Sequence, residues 1–139
     1  SEHGARGGDE INLIRPGANY GWPVISYGRN YNGAAIGIGP RAEGMEQPAL
    51  YWDPSVAPSG LVVLKGEGFA GWTGSLLAGS LKDDHIVRID PAAGFAREVL
   101  RAPQTARVRD LREAPDGSLW FLSVGQGALY RLSPKAKGG

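Results

Sequence analysis

Gly74-Ser75-Leu76-Leu77-Ala78-Gly79-Ser80 and Gly117-Ser118-Leu119-Trp120-Phe121-Leu122-Ser123 are two copies of one unit, 43 residues apart. The same offset, without a gap, lays Val87-Arg88-Ile89-Asp90-Pro91 on Tyr130-Arg131-Leu132-Ser133-Pro134. A shift of 75 residues gives a partial third copy, placing Gly79, Asp84, Ile86, Ile89 and Pro91 on Gly4, Asp9, Ile11, Ile14 and Pro16. A period of roughly 40–45 residues, with several short strands in each unit, is that of propeller blades. Chance similarity among glycine-rich hairpins is the competing explanation.

Each unit reads as antiparallel β. Gly60–Leu64, Gly74–Leu81 and Ile86–Asp90 are strands in the first, with a turn over Lys82-Asp83-Asp84. Val108–Glu113, Leu119–Ser123 and Ala128–Leu132 are strands in the next. Pro115-Asp116-Gly117 is a turn between the first two of these: proline presets φ, aspartate caps, and glycine tolerates positive φ. Near the start, Ile11-Asn12-Leu13-Ile14 is a short strand followed by the turn Arg15-Pro16-Gly17. Asp90–Val99 alone has helical character, and Pro91 and Gly94 interrupt it. Residues 27–47 form a long loop between units, and long loops in compact domains are often functional.

Composition agrees with a turn-rich β protein. The chain has 139 residues with 22 Gly, 10 Pro and 42% hydrophobic residues. That is too apolar for simple disorder, and no Gly-X-Y period is present. The length suffices for one ordinary domain with a real core. The net charge is +1 with the two signs interspersed, which argues against a nucleic-acid surface or a polybasic membrane anchor. Lys135 and Lys137 read as a solvated tail. No apolar run approaches the roughly 18 residues of a membrane span. The absence of cysteine excludes disulfides, thiolate metal sites and thiol catalysis. Closed propellers have four to eight blades, and this chain holds about three. Partner chains or a longer polypeptide are therefore expected to complete the ring, and open edges invite self-association.

The string Glu2–Gly28, with Asp9-Glu10, Arg15-Pro16-Gly17 and Asn19-Tyr20-Gly21-Trp22-Pro23, resembles a segment of the soluble quinoprotein sugar dehydrogenases. These are the glucose/sorbosone dehydrogenase-like, six-bladed β-propellers of four-stranded sheets that use pyrroloquinoline quinone (PQQ). In that family the segment lies past the middle of the protein, so the resemblance implies a C-terminal part of one propeller domain. It spans Glu2 to about Pro134, with four motifs in the family's order.

Arg107 and Arg109 are the first site candidates. In an extended strand, positions i and i+2 share a face, so two guanidiniums would stand side by side. Such a pair suits a polycarboxylate, each fork binding a carboxylate bidentately. By spacing alone, a solvated or salt-bridged strand end, with Asp110 and Glu113 at hand, is the favoured reading. The resemblance favours the first reading, because the family's Arg-x-Arg-Asp contacts the PQQ carboxylates. Lys82, in Ser80-Leu81-Lys82, reads alone as a surface charge, whereas the family's lysine at this place reaches the cofactor. Three cations on a tricarboxylate quinone would also stabilise the charge gained on reduction.

The family binds Ca²⁺ through two successive backbone carbonyls in the segment matching Gly4 and Ala5. Calcium prefers such hard oxygen ligands. Ala5 stands where the family has proline, which leaves the carbonyl but removes some preorganisation. Asp9-Glu10 would help order this loop. Within Trp52–Gly60, Ser55 matches a hydroxyl near the cofactor. Tyr51 and Trp52 are candidates for the substrate mouth, although packing between blades explains them as well. His85 reads as structural or exposed. His3 is not the base, because the family's histidine base lies in an N-terminal half that these residues do not contain.

The resemblance thus implies oxidation of an aldose at its anomeric carbon, with hydride passing to PQQ and an artificial or respiratory acceptor taking the electrons. It also implies periplasmic or secreted placement and no activity for this chain alone. The alternative is a non-catalytic β-propeller module that binds a partner or self-assembles. There is no nucleophile elbow, histidine-rich metal spacing or phosphate loop.

Overall fold

The computed structural model describes residues 1–134; Lys135 and Lys137 lie outside the described residues. Its contacts divide the chain into two compact units, Ser1–Pro58 and Ser59–Gly139.

In the first unit, strand β1 (Asp9–Ile11) pairs antiparallel with β2 (Leu50–Trp52), Asp9 facing Trp52. Glu2 extends this ladder by exchanging backbone hydrogen bonds with Glu10 at 2.9 and 2.8 Å. The expected strand Ile11–Ile14 therefore ends at its first residue. The Tyr20 hydroxyl explains this, accepting from Arg15 N–H and donating to the Leu13 carbonyl, each at 2.7 Å, which draws the chain into the Arg15-Pro16-Gly17 turn. Leu13 and Ile14 are left exposed. Residues 27–47 contain no strand, and the Tyr27 hydroxyl donates to Gln47 Oε1 at 2.8 Å, so the loop's two ends are joined.

The second unit holds two sheets. Strands β3 (Pro58–Val63), β4 (Leu76–Ser80), β5 (Ile86–Asp90) and β6 (Ala96–Leu100) lie in that order. Strands β7 (Val108–Glu113), β8 (Leu119–Ser123) and β9 (Ala128–Leu132) form the other. The 43-residue repeat is a repeat of structure. Leu76↔Ile89, Leu77↔Arg88, Ala78↔Val87 and Gly79↔Ile86 in one sheet become Leu119↔Leu132, Trp120↔Arg131, Phe121↔Tyr130 and Leu122↔Leu129 in the next. Side chains repeat too: Arg88 Nη1 donates to Ser75 Oγ at 3.0 Å, and Arg131 Nε to Ser118 Oγ at 3.2 Å. The partial 75-residue copy is not structural, because it lays the start of β5 on the end of β1.

The segment with helical character makes only one 3₁₀ turn, Pro91–Ala93, capped by the Asp90 carboxylate and stopped at Gly94 in the left-handed region. The chain then returns as β6, paired residue by residue with β5. Pro115-Asp116-Gly117 turns as expected. Asp116 Oδ1 accepts from Ser118 Oγ at 2.6 Å and Ser118 N–H at 2.9 Å, which with Arg131 lowers its pKa to about 2.

Leu64, Leu77, Ile86, Val108, Leu111, Leu119 and Phe121 form the core of the second unit, drawing on both of its sheets. Burying a side chain of this size stabilises by about 1.5–3 kcal/mol. Close approach of β4 to β7 requires Gly79, since a Cβ there would sit 2.7 Å from Val108 Cγ1 and 2.5 Å from Ser59 Oγ. No α-helix occurs among the described residues, and the chain is an all-β, partial β-propeller.

Candidate functional site

Within the second unit, the turn between β4 and β5 is built around Ser80 and His85. Ser80 Oγ accepts from Asp83 N–H at 2.9 Å, and Ser80 N–H donates to the His85 carbonyl at 2.9 Å. The buried His85 ring packs under the turn, its Nδ1 lying 3.2 Å from the Asp83 carbonyl and 3.3 Å from Arg101 Nη2. Burial pushes the imidazole below its ordinary pKa, so it is neutral at pH 7 and structural in role. Lys82 is carried, exposed, on this turn.

Asp84 connects that turn to the arginines. Its Oδ1 accepts from Arg107 N–H at 2.9 Å, and its carbonyl lies 2.8 Å from Thr105 Oγ1. Arg107 has φ 50° and Asp84 φ 56°, so both are left-handed residues without being glycine. Asparagine and aspartate tolerate that region, but an arginine there is unusual and costs about 1 kcal/mol or more. The Arg107/Arg109 geometry accordingly differs from the expected extended strand. Arg107 precedes β7, and the register jumps from Val108↔Ser123 to Asp110↔Leu122, leaving Arg109 as the extra residue of a β-bulge. Bulges re-aim side chains and gather near active sites. Both arginines are exposed around the fully buried Val108.

The acids that could have neutralised the arginines are engaged elsewhere. Asp110 pairs with Arg112 at 2.7 Å, and Glu113 accepts Lys65 N–H and Gly66 N–H at 2.8 and 2.9 Å. Neither guanidinium of Arg107 or Arg109 makes an ion pair or hydrogen bond among the described residues. A pair of uncompensated forks held by a strained backbone fits a carboxylate-rich ligand.

In the first unit, Asp9 organises the loop. It is fully buried, with Oδ1 accepting Gly4 N–H at 2.7 Å and Oδ2 accepting Ser55 Oγ at 2.5 Å, Val56 N–H at 2.7 Å and Ala57 N–H at 2.8 Å. One carboxylate thus ties the Gly4-Ala5 segment to the Ser55 segment. A Cβ at Gly4 would lie 1.9 Å from the Gly7 carbonyl oxygen, so the loop closes on itself only with glycine there. The Gly4 and Ala5 carbonyls accept no hydrogen bond from the described residues. Two adjacent unclaimed carbonyls fit part of a hard-cation site. Calcium takes roughly six to eight oxygens, so the remainder would come from water or ligand. No cluster of three or more His, Cys, Asp or Glu among the described residues could hold a metal instead. His3 is exposed, and its Nε2 contacts the Pro58 carbonyl.

Of the two aromatic candidates, Trp52 is buried and belongs to the core, whereas Tyr51 is exposed and stacks on Tyr27 with ring centroids 3.9 Å apart. The sequence reading missed Asp84. Its signal is a departure from the repeat: Asp84 and Gly127 are equivalent at the 43-residue offset and share positive φ, but only Asp84 carries a side chain.

The chain is 39% identical to the aldose sugar dehydrogenase YliI of Escherichia coli (strain K12), covering 97% of this chain and 38% of that protein. It matches a crystal structure of a glucose dehydrogenase with a TM-score of 0.86 and 38% identity, over 98% of this chain and 40% of that one. It also matches the PQQ-bound form of an aldose sugar dehydrogenase from Streptomyces coelicolor, with a TM-score of 0.58 and 25% identity over 100% of this chain and 36% of that one. The chain therefore spans about two-fifths of the length of these proteins. The family model for glucose/sorbosone dehydrogenases matches residues 1–131, and the chain belongs to that family.

Proposed function

We propose that these 139 residues are part of one propeller domain of a PQQ-dependent dehydrogenase that oxidises aldose sugars at the anomeric carbon. The observation that carries this reading is the pair Arg107 and Arg109. Their guanidiniums are exposed, uncompensated, and set by a left-handed residue and a bulge.

In the second unit, Lys82, Arg107 and Arg109 bind the carboxylates of the cofactor and fix its orientation. In the first unit, the Gly4 and Ala5 carbonyls would ligate Ca²⁺, and Ser55 matches the family's hydroxyl near the cofactor. Asp9 is the positioning residue for both of those segments. Bound PQQ supplies a two-electron acceptor for hydride. The cationic side chains would stabilise the negative charge that such a group gains on reduction. The general base belongs to residues beyond these 139, so this chain alone turns over no sugar. Periplasmic or secreted placement and an artificial or respiratory electron acceptor belong to the same proposal. No helix among the described residues is long and apolar enough to cross a membrane.

The test is calorimetric titration of PQQ into the chain with Ca²⁺ present, repeated on the triple variant Lys82→Ala, Arg107→Ala, Arg109→Ala. Saturable heat that vanishes in the variant is expected. Equal binding by both proteins would overturn the assignment of these residues. Dye-coupled sugar oxidation by the unaltered chain, supplied with PQQ and Ca²⁺, would overturn the placement of the base elsewhere.

A further inference from the structure

His85 departs from the 43-residue repeat, which places Ala128 at the equivalent position. The residue is 5% exposed, and its Nδ1 faces two groups of opposite demand. The Asp83 carbonyl, 3.2 Å away, can only accept a hydrogen bond, and Arg101 Nη2, 3.3 Å away, can only donate one. One nitrogen satisfies one of them at a time. As a lone pair it takes Arg101, and as N–H it takes the Asp83 carbonyl. Arg101 opens the segment that returns to the turn. Thr105 Oγ1 accepts from Ala102 N–H at 3.1 Å and donates to the Asp84 carbonyl at 2.8 Å, and Arg107 N–H donates to Asp84 Oδ1 at 2.9 Å. Residues 101–107 are thus fastened to the Ser80–His85 turn at His85, at the Asp84 carbonyl and at the Asp84 carboxylate. Of these, only the contact at His85 changes its proton between about pH 5 and 8. The charged groups that reach the ring are Asp83 and Asp84 of its own turn and Arg101. Burial lowers its pKa below the ordinary 6.5, Asp83 and Asp84 oppose the fall, and Arg101 adds to it.

We propose that His85 is a proton-sensitive positioning residue for Arg107. Neutral, it accepts Arg101 Nη2 at Nδ1 and closes residues 101–107 on the turn. Protonated at Nδ1, it donates to the Asp83 carbonyl and expels the guanidinium. A charge-assisted hydrogen bond from a guanidinium is the stronger of the two, so it selects the Nε2–H tautomer of the neutral ring. A proton taken from solvent onto Nδ1 removes that bond and sets an imidazolium against a guanidinium. Arg101 is exposed, so solvent receives it. The left-handed backbone of Arg107 then loses one of the supports that hold it. The effect on PQQ rests on the reading that Arg107 and Lys82 hold the cofactor, since these cations belong to the two segments that the contact joins. The sign follows from the lowered pKa. The contact is closed above about pH 6.5 and opens as pH falls through the folded value.

Two variants set the limits. His85→Asn keeps an acceptor near the place of Nδ1 and holds Arg101 at every pH, whereas Arg101→Ala leaves the contact open at every pH. The first measurement needs no cofactor: the hydrogen-exchange protection factor of the Arg107 N–H in the full chain at about pH 7.5 and about pH 5.5. The parent should match His85→Asn at the higher pH. At the lower pH it should fall about fivefold, the scale of one net hydrogen bond, to match Arg101→Ala. PQQ affinity should follow the same pattern, with the ligand's own titration common to all three proteins. Nitrogen chemical shifts of the His85 ring should report Nε2–H at the higher pH. Three results overturn the proposal: a neutral ring protonated at Nδ1, parent protection that ignores pH as the variants do, or Arg101→Ala protected like the parent at the higher pH. The expected protection factors with no PQQ binding at either pH would uphold the positioning of Arg107 and overturn the cofactor assignment instead. PQQ affinity that ignores pH while protection changes would overturn the link between His85 and the cofactor.

Discussion

The Arg107 backbone N–H donates to Asp84 Oδ1 at 2.9 Å, linking two left-handed residues that lie 23 positions apart. This contact fastens the residue before β7 to the turn that carries Lys82, so two of the three candidate cofactor cations share one support. Replacing Asp84 with Ala removes the acceptor and also places a less suitable residue at positive φ. We expect a loss of about 1–2 kcal/mol in stability. PQQ affinity should fall by about tenfold although no cation is removed, and Asp84→Asn should recover most of both. Chemical denaturation and PQQ titration measure the two effects. An Asp84→Ala protein that binds PQQ like the parent would show that the contact supports nothing functional.

Asp9 is fully buried and accepts four hydrogen bonds from Gly4, Ser55, Val56 and Ala57. Removing it strands the three backbone N–H donors as well as the Ser55 hydroxyl. Asp9→Ala should cost about 3 kcal/mol or more, at the upper end for single substitutions. Asp9→Asn, which keeps acceptor capacity on one oxygen, should cost less. If the carboxylate holds the Gly4-Ala5 carbonyls in place, Ca²⁺-dependent stabilisation of the parent should disappear in Asp9→Ala. Thermal unfolding with and without Ca²⁺ checks this. A calcium shift that survives Asp9→Ala would argue against the carbonyl site.

Gly79 lies where β4 passes β7, and a methyl there would meet Val108 Cγ1 and Ser59 Oγ well inside van der Waals distance. Val108 is held between the two arginines and is completely buried, so it cannot retreat. Gly79→Val should therefore destabilise by about 1–3 kcal/mol through overpacking. The same change at Gly74, where nothing lies within 4 Å, acts only through its backbone φ of 84°. Urea midpoints for the two variants should separate crowding from conformational strain. Equal stability of Gly79→Val and the parent would refute the close approach.

Most of the second unit was legible because its strands alternate and repeat. The spacing of Leu76–Ser80 from Leu119–Ser123 carries the register of every rung, and strands β5, β7, β8 and β9 have the bounds that their patterning predicts. Strand β6 was not legible. Ala96–Leu100 is an exposed strand whose side chains are mostly solvated, so no buried alternation marks it. The third repeat failed because shared glycine, isoleucine and proline positions reflect turn chemistry, not a shared ladder. The candidate cations Lys82, Arg107 and Arg109 were named from family motifs, and the extended conformation expected of the two arginines is not the one observed. Alternation presumes an extended strand, whereas the left-handed Arg107 and the bulge at Arg109 break it. Asp9 was seen as a loop residue, but its reach to Ser55 spans 46 positions, a distance over which no local pattern operates.

Glu10 gives a dependence on pH whose sign can be worked out. It is almost wholly buried in β1 opposite Tyr51, with Glu2 paired to it across the ladder. Asn12 Nδ2 donates to a carboxylate oxygen of each acid at 3.2 Å. Burial raises the Glu10 pKa above its ordinary 4.5, the Asn12 hydrogen bond opposes the rise, and repulsion from Glu2 adds to it. A carboxyl with a raised folded pKa binds more protons folded than unfolded, so stability falls as pH climbs from the ordinary value through the folded one. Above that window the ionised group is a fixed penalty. Glu10→Gln removes the penalty and keeps an oxygen for Asn12. The variant should be more stable than the parent at about pH 7, and the advantage should shrink toward about pH 4, where the parent carboxyl is protonated. The difference between the urea denaturation curves of the two proteins reports Glu10 together with its repulsion from Glu2. A difference that stays constant across this range would mean that Glu10 titrates alike in the folded and unfolded chains.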